Sequence, residues 1–98
     1  MLEHRGRVSG TVRRTPIVAL RTPDGFVIPM PFGPSTQWTL NVLAAGGATL
    51  RWKGRDWQVT DPQVVGFDDA AAALGPMRPI ARRAGIVTYL AVRVAQTS

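Results

Sequence analysis

The residues in this chain best suited to chemistry are arginines and glycines near the N-terminus, just ahead of the apolar run 17–20. Glycine lets successive backbone N–H groups point into a concave arc, and a guanidinium matches the geometry of a phosphate or a carboxylate. Residues 5–16 therefore predict an anion-binding turn that leads into a buried strand, with a solvated basic loop as the alternative. The residues concerned are Arg5, Gly6, Arg7, Gly10, Arg13 and Arg14.

Residues that usually carry out hydrolysis or bind metal ions are scarce. The chain has no cysteine and a single histidine, His4, so neither thiolate chemistry nor a metal site with several convergent ligands is expected. Ser9 could act as a nucleophile only beside a base, and His4 is expected in a mobile N-terminal tail without a functional role. This pattern favours a reaction in which a cofactor supplies the chemistry.

The basic composition indicates an anionic partner. The 98 residues carry 12 Lys and Arg against 6 Asp and Glu, a formal net charge of +6, and every cation except Lys53 is an arginine. Base-stacking modules interleave cations with aromatic residues, whereas no aromatic residue precedes Phe26. Nucleic acid is therefore the weakest candidate and is not expected. An anionic small molecule or an anionic membrane surface fits the charge better.

Length and hydropathy bound the architecture. A chain of 98 residues, 45% of them hydrophobic, suffices for one core, so we predict a single domain over residues 1–98. No apolar run approaches the ~20 residues of a membrane span, and the N-terminus lacks the apolar stretch of a signal peptide. We therefore expect a cytoplasmic protein, with peripheral contact to a membrane surface left open.

Turn residues divide the chain into five predicted strands and two or three short helices. Residues 22–25 mark the turn of a first hairpin, and residues 53–56 mark the turn of a second, which Asp61 and Pro62 close. Antiparallel strands with helices between them predict a mainly β (α+β) fold, a small curled sheet or barrel whose closure would hide its edges. The predicted strands are 11–20, 26–32, 48–52, 57–60 and 86–94, and the predicted helices are 37–45, 68–74 and a further turn between 78 and 85.

Local features carry finer predictions. A hydroxyl in the segment 33–36 is expected to cap the helix that follows, and Gly46 is expected to end that helix. Pro29 and Pro31 lack N–H groups on the same side of their strand, which predicts a sheet edge or a break in the ladder on that side. In the last strand, the alternate residues expected to face the core are Ile86, Thr88, Leu90, Val92 and Val94.

Two motifs stand out in the spacing of the residues. The first is Gly6-Arg7-x-Ser9-Gly10-x-x-Arg13-x-x-Pro16, followed by Gly33, and the second is Trp38-x-x-Asn41 ahead of Gly46-Gly47. Together, over residues 5–94, they resemble the motifs of the deazaflavin-dependent nitroreductase and quinone-reductase family. The combination is moderately specific, whereas either motif alone is a weak signal.

The resemblance implies a small split β-barrel of antiparallel strands that binds coenzyme F-420, a deazaflavin with a phospholactyl-oligoglutamate tail. Such a protein passes a hydride from the reduced coenzyme to a quinone or nitro compound. The resemblance further implies that Arg7 and Arg13 hold the anionic tail and the phosphate, and that Trp38 and Asn41 shape the helix side of the pocket. The residues implied along the deazaflavin are Thr15, Pro16, Ile17 and Val18, and Ser9 and Gly33 complete the implied cofactor-binding set.

The chain departs from the family pattern at several positions. Val8 stands where relatives often carry a lysine, and Pro31 and Phe32 stand where a polar pair helps to hold the phosphate. Each lost charge-assisted hydrogen bond costs about 1.5–3 kcal/mol. Only residues 1–4 precede the Gly-Arg-x-Ser-Gly turn, so the N-terminal helix of longer relatives is expected to be missing.

These departures leave a second function open. The alternative is a noncatalytic split-barrel protein that binds a fatty acid or another apolar anion. The apolar rim expected of so small a barrel also favours a homodimer.

Overall fold

One antiparallel sheet organises residues 1–95, the part of the chain that this structure, a computed structural model, describes. In chain order the elements are β1 Leu2–Arg5, β2 Val12–Thr15, β3 Leu20–Arg21, β4 Gly25–Pro29, α1 Gln37–Ala45, β5 Gly47–Trp52, β6 Arg55–Gly66, α2 Phe67–Leu74, a 3-10 turn Gly75–Met77, α3 Arg78–Arg83 and β7 Thr88–Val94. The strands lie side by side in the order β2-β1-β5-β6-β7-β4-β3.

The mainly β, antiparallel architecture with short helices is confirmed. The edge strands β2 and β3 do not pair with each other, so the sheet is not closed, which is consistent with the predicted split barrel. The sheet has seven strands within residues 1–95, where five were predicted. The predicted domain includes residues 96–98, which lie outside the described part of the chain.

Strand β1 replaces the mobile tail expected at the N-terminus. Leu2 and His4 are buried, whereas Glu3, between them, pairs its carboxylate with Arg14 at 3.5 Å. The backbone of β1 bonds to β2 on one side and to β5 on the other. Four residues suffice for a stable strand here because both edges are paired and Leu2 belongs to the core.

The predicted strand 11–20 is divided in two. β2 ends before Pro16, and residues 16–19 join no ladder, because proline has no N–H to donate. The short β3 pairs with β4 only through Leu20 with Val27 and Arg21 with Phe26. The first predicted hairpin is therefore confirmed in a shortened form.

The break in the ladder predicted beside the prolines is confirmed at Pro29, whereas Pro31 lies beyond β4, which ends sooner than the predicted strand 26–32. Met30 donates its N–H to the carbonyl of Thr88 at 3.0 Å, on the β7 side of the strand. Since successive residues alternate, the nitrogen of Pro29 faces the opposite side, where β3 has already ended.

Strand β6 belongs to both halves of the sheet. Its hairpin with β5 is confirmed and turns through Lys53 and Gly54, both at positive φ. The prediction that Asp61 and Pro62 close this hairpin is wrong. Asp61 takes a φ of 54°, and a one-residue bulge between Thr60 and Gln63 lets the strand continue. β6 pairs with β5 before the bulge and with β7 on either side of it.

The three helices match the predicted segments. α1 ends at Gly46, which has a left-handed φ of 75° and donates its N–H to Val42. The expected hydroxyl cap is wrong, because the Thr36 hydroxyl bonds to the hydroxyl of Thr39 instead of a backbone N–H. None of the helices within residues 1–95 has the length and apolar character needed to cross a membrane.

The sheet packs on both faces. Leu90 and Val92 of β7 lie in the main core under α1, as predicted, whereas Ile86 precedes the strand. Tyr89, on the other face, is also buried, because α2 and α3 cover it and its hydroxyl donates to the carbonyl of Ile86 at 2.8 Å. The main cluster comprises Leu2, Phe26, Ile28, Met30, Val42, Leu50, Val59, Leu90 and Val92.

Candidate functional site

Two cavities meet the first turns of α1. The apolar cavity has a volume of about 520 Å³ and is lined by Thr15, Pro16, Ile17, Val18, Pro29, Met30, Pro31, Phe32, Gly33, Thr36 and Trp38. The cation cavity has a volume of about 380 Å³ and is lined by Gly6, Arg7, Val8, Ser9, Arg13, Gln37 and Asn41. Of the residues implied to bind the cofactor, Thr15, Pro16, Ile17, Val18, Gly33 and Trp38 line the apolar cavity, and Arg7, Ser9, Arg13 and Asn41 line the cation cavity.

Prolines open the apolar cavity. Pro16 follows the last residue of β2, and Pro29 is the last residue of β4. Because neither nitrogen can donate a hydrogen bond, the segment 16–19 leaves the sheet after β2, and the segment 31–33 leaves it after the Met30 bond to Thr88. Gly33, at a φ of 82°, turns the second segment before α1 begins.

The walls of the apolar cavity suit a flat, apolar ligand. Their polar side-chain groups are the hydroxyls of Thr15 and Thr36 and the indole N–H of Trp38. Val18 and Phe32 are 65% and 86% exposed, so the cavity is open to solvent beside them. Burial of apolar ligand surface against such walls contributes about 25 cal/mol for each Å² removed from water.

The turn between β1 and β2 forms one wall of the cation cavity. Gly6 donates its N–H to Thr11 and Gly10 donates to Gly6, both at 2.8 Å, and the Ser9 hydroxyl accepts the N–H of Thr11 at 3.3 Å. These N–H groups close the hairpin, so the expected arc of unbonded N–H groups is wrong for them. The guanidinium groups are what the turn offers to an anion.

Arg7 is held in place by neutral acceptors. Its Nη1 donates to Gln37 Oε1 and to Asn41 Oδ1, both at 2.9 Å, and its backbone N–H donates to Asn41 Oδ1 at 3.2 Å. Amide oxygens orient a guanidinium without cancelling its charge. The ion pairs within residues 1–95 join Arg14 to Glu3, Arg51 to Asp56 and Arg93 to Asp61. Arg7 and Arg13 are in none of them, so both keep their charge for an anion.

His4, expected to have no functional role, lies behind this cavity and is only 4% exposed. Its Nδ1 lies 3.1 Å from Asn41 Nδ2, and its Nε2 lies 2.8 Å from the hydroxyl of Thr15. Burial, and then the charge of Arg13, lowers the pKa of His4 below its usual value. The sequence did carry a signal, because Leu2 and His4 alternate with the charged Glu3 and Arg5 as in a half-buried strand.

Comparison with known proteins decides the family. A model of the F420H(2)-dependent quinone reductase family matches residues 1–94. The chain belongs to this family. The resemblance drawn from the two motifs is thereby confirmed. The chain matches none of the curated proteins with which it was compared.

The name of the F420H(2)-dependent quinone reductases indicates an oxidoreductase that depends on coenzyme F-420. The donor set of this chain fits such a group. An apolar cavity of sufficient size for a ring system lies on one side of α1, and guanidinium groups without carboxylate partners lie on the other. An apolar ring and an anionic tail call for this combination of surfaces.

Three residues that depart from the family pattern also line the site. Val8 lines the cation cavity and is 92% exposed, while Pro31 and Phe32 line the apolar cavity. None of these side chains donates a hydrogen bond. The charged groups that line the cation cavity are therefore the guanidinium groups of Arg7 and Arg13.

Proposed function

We propose that this protein is a deazaflavin-dependent oxidoreductase that transfers a hydride from reduced coenzyme F-420 to a quinone- or nitro-type acceptor. The observation that carries the proposal is the pairing of the apolar cavity with two charged arginines at the same helix. Membership of the F420H(2)-dependent quinone reductase family supports the cofactor and the reaction class.

The residues divide the work of binding. Arg7 and Arg13 attract the phosphate and the carboxylates of the tail, and Ser9 and Asn41 shape the cavity around them. The coenzyme, when bound in its reduced form, supplies the hydride. The segment 15–18 and the indole of Trp38 orient the ring and keep water from it, because their surfaces are largely apolar.

The protein supplies positioning rather than acid–base groups at the apolar cavity. Among the lining residues, none has a side chain that ionises near neutral pH. Val18 and Phe32 leave the cavity open to solvent. We infer that solvent provides the proton that a quinone takes up together with the hydride.

The alternative function uses the same two cavities. A noncatalytic protein could hold a fatty acid with its chain along the apolar walls and its carboxylate at Arg7. The lack of donors at Val8, Pro31 and Phe32 favours this alternative. Native mass spectrometry of the protein purified without added ligand separates the two, because a copurified lipid supports the alternative and an empty protein does not.

The homodimer and the contact with a membrane surface remain part of the proposal. Val18 and Phe32 support both, because these exposed apolar side chains lie at the mouth of the apolar cavity. Sedimentation of the purified protein, alone and with anionic vesicles, measures each contact separately.

A titration with coenzyme F-420 tests the main proposal. We expect the intrinsic fluorescence of the coenzyme to change saturably, and the reduced coenzyme to be oxidised when a quinone is added. Arg83→Gln is the matched control for the site arginines, because Arg83 is exposed on α3 and lines neither cavity. Absence of binding at high micromolar coenzyme would remove the proposal.

A further inference from the structure

We propose that His4 is a positioning residue for the cation cavity: its Nδ1 fixes the Asn41 amide in the orientation that holds Arg7 toward the bound anion. This inference rests on the proposed function, because it names the residue that prepares the same site. The family match does not assign this role to His4, and the sequence placed His4 outside the site.

Hydrogen bonds on both sides fix the orientation of the Asn41 amide. Its Oδ1 accepts two hydrogen bonds from Arg7, at 3.2 Å from the backbone N–H and at 2.9 Å from Nη1. Its Nδ2 therefore points the other way, to His4 Nδ1 at 3.1 Å. A reversed amide would set its N–H groups against the N–H groups of Arg7, so only this orientation satisfies both neighbours.

The amide in turn fixes the tautomer of His4. Because Asn41 Nδ2 is a donor, Nδ1 of the imidazole must be the acceptor, and the ring proton sits on Nε2. Nε2 then donates to the hydroxyl of Thr15 at 2.8 Å. One chain of hydrogen bonds thus runs from Thr15 in the apolar cavity, through His4 and Asn41, to Arg7 in the cation cavity.

Burial makes this chain hard to replace by water. His4 and Asn41 are 4% and 3% exposed. When a buried polar group loses its hydrogen-bond partner, the loss of free energy exceeds the net contribution of the bond, because water cannot reach the group to replace it. His4 also lies directly opposite Arg13 in the pairing of β1 with β2, so it stands behind both arginines of the site.

The charged groups around His4 keep the imidazole neutral. Arg13 on β2 lies directly opposite His4. Arg7, in the turn between β1 and β2, is separated from His4 by the Asn41 amide. On β1 itself, Glu3 pairs with Arg14 and Arg5 bonds to the carbonyl of Gly10. The residues of β5 that pair with β1, Leu50 opposite Leu2 and Thr49 opposite Glu3, are uncharged. Burial and the charge of Arg13 lower the pKa of His4, in agreement with an Nδ1 that accepts a hydrogen bond.

The same geometry argues against a proton relay through His4 to the apolar cavity. A relay would need a second proton on Nδ1 before Nε2 could release one to Thr15. Nδ1 faces the N–H group of Asn41, so protonation there breaks the contact that holds Arg7. His4 is therefore a fixed acceptor, and we expect acid to weaken anion binding.

Two substitutions separate the two ring nitrogens. His4→Asn places an amide oxygen near the position of Nδ1 and keeps an acceptor for Asn41. His4→Gln places its amide near Nε2, keeps a partner for Thr15 and removes the acceptor. We expect His4→Gln to weaken coenzyme F-420 binding about tenfold and His4→Asn to bind within about threefold of the wild type. Equal affinities of His4→Gln and the wild type would overturn the proposal.

A second measurement does not need the coenzyme. Because His4 is the only histidine, nitrogen NMR of its imidazole reports one ring without assignment. We expect the Nε2–H tautomer, and we expect the side-chain amide signals of Asn41 to shift with the same pH midpoint as the ring. An Nδ1–H tautomer, or Asn41 signals that ignore the titration, contradicts the positioning role. If the wild type binds no coenzyme, the proposed function fails, and these signals still decide the role of His4.

Discussion

The guanidinium of Arg7 lies 2.9 Å from the side-chain oxygen of Gln37, a residue in the first turn of α1. This contact docks the turn between β1 and β2 against the helix, although the two residues are 30 positions apart. Gln37 contributes an oxygen and no charge. The arginine is thus fixed at the cation cavity and remains a full cation.

Removal of the Arg7 charge should weaken cofactor binding. Arg7→Gln is expected to raise the dissociation constant for coenzyme F-420 roughly 10- to 100-fold, because a charge-assisted hydrogen bond contributes about 1.5–3 kcal/mol. Fluorescence titration measures the change, with Arg83→Gln as the control of equal charge. Equal weakening in the control would show a general effect of charge and not a site.

A carboxylate beside Arg7 should act in the same direction without removing the arginine. Gln37→Glu places a negative charge at the present position of the amide oxygen, so it neutralises the guanidinium and is expected to weaken binding about tenfold. Gln63→Glu is the control, because Gln63 lies on β6 and lines neither cavity. Tighter binding by Gln37→Glu would mean that Arg7 is not the group that meets the anion.

Introduction of a lysine at position 8 should have the opposite effect. Val8 is 92% exposed at the cation cavity, so Val8→Lys costs little stability and adds a cation at the anion site. We expect coenzyme F-420 to bind roughly tenfold more tightly. Val87→Lys, at a site 69% exposed and outside both cavities, adds the same charge elsewhere and should change nothing.

Acid should destabilise the fold through His4. The pKa of His4 is lowered in the folded chain, so between that pKa and the usual 6.5 the unfolded chain binds more protons. The contribution of His4 to the free energy of unfolding is therefore fully present above pH 6.5, and it is lost as the pH falls toward the lowered pKa of the folded chain. Urea unfolding at pH 7 and pH 5 should show a larger loss for the wild type than for His4→Asn. Parallel losses would place the acid sensitivity in other groups.

Close backbone contact at Gly25 leaves no room for a side chain. A Cβ on Gly25 would overlap the carbonyl oxygen of Val92 in β7, whereas a Cβ on Gly66 would meet nothing within 4 Å. Gly25→Ala is expected to lower the free energy of unfolding by more than about 2 kcal/mol. Gly66→Ala should cost less than about 1 kcal/mol. Denaturant unfolding of both variants checks the contrast.

The residues that line the two cavities could be predicted from the sequence because their motifs are local. The spacing within each motif does not depend on the fold of the rest of the chain. The structure places the motif residues Arg7, Arg13, Trp38 and Asn41 at the two cavities beside α1. Helix α1 was equally predictable, since apolar spacing and Gly46 mark its length and end. Both predictions depend only on residues that lie close together in the sequence.

The missed features depend on contacts between distant residues. His4 is buried because Asn41, 37 positions away, meets it from α1, and no local pattern names that partner. Asp61 resembles a turn residue, yet β7 is close enough to pair on either side of it, so the chain forms a bulge. The glycines of the turn predicted N–H groups without hydrogen bonds. Gly6 and Gly10 instead donate their N–H groups to backbone carbonyls within the hairpin.

The double membership of β6 has a consequence for how the molecule comes apart. Val59 and Thr60 of this strand pair with both β5 and β7, so we expect the two sub-sheets to open together. Amide exchange in the two halves should then report one common opening event, with no long-lived half-folded species. Both cavities would vanish together in that event, and a ligand bound in either would slow it for the entire sheet.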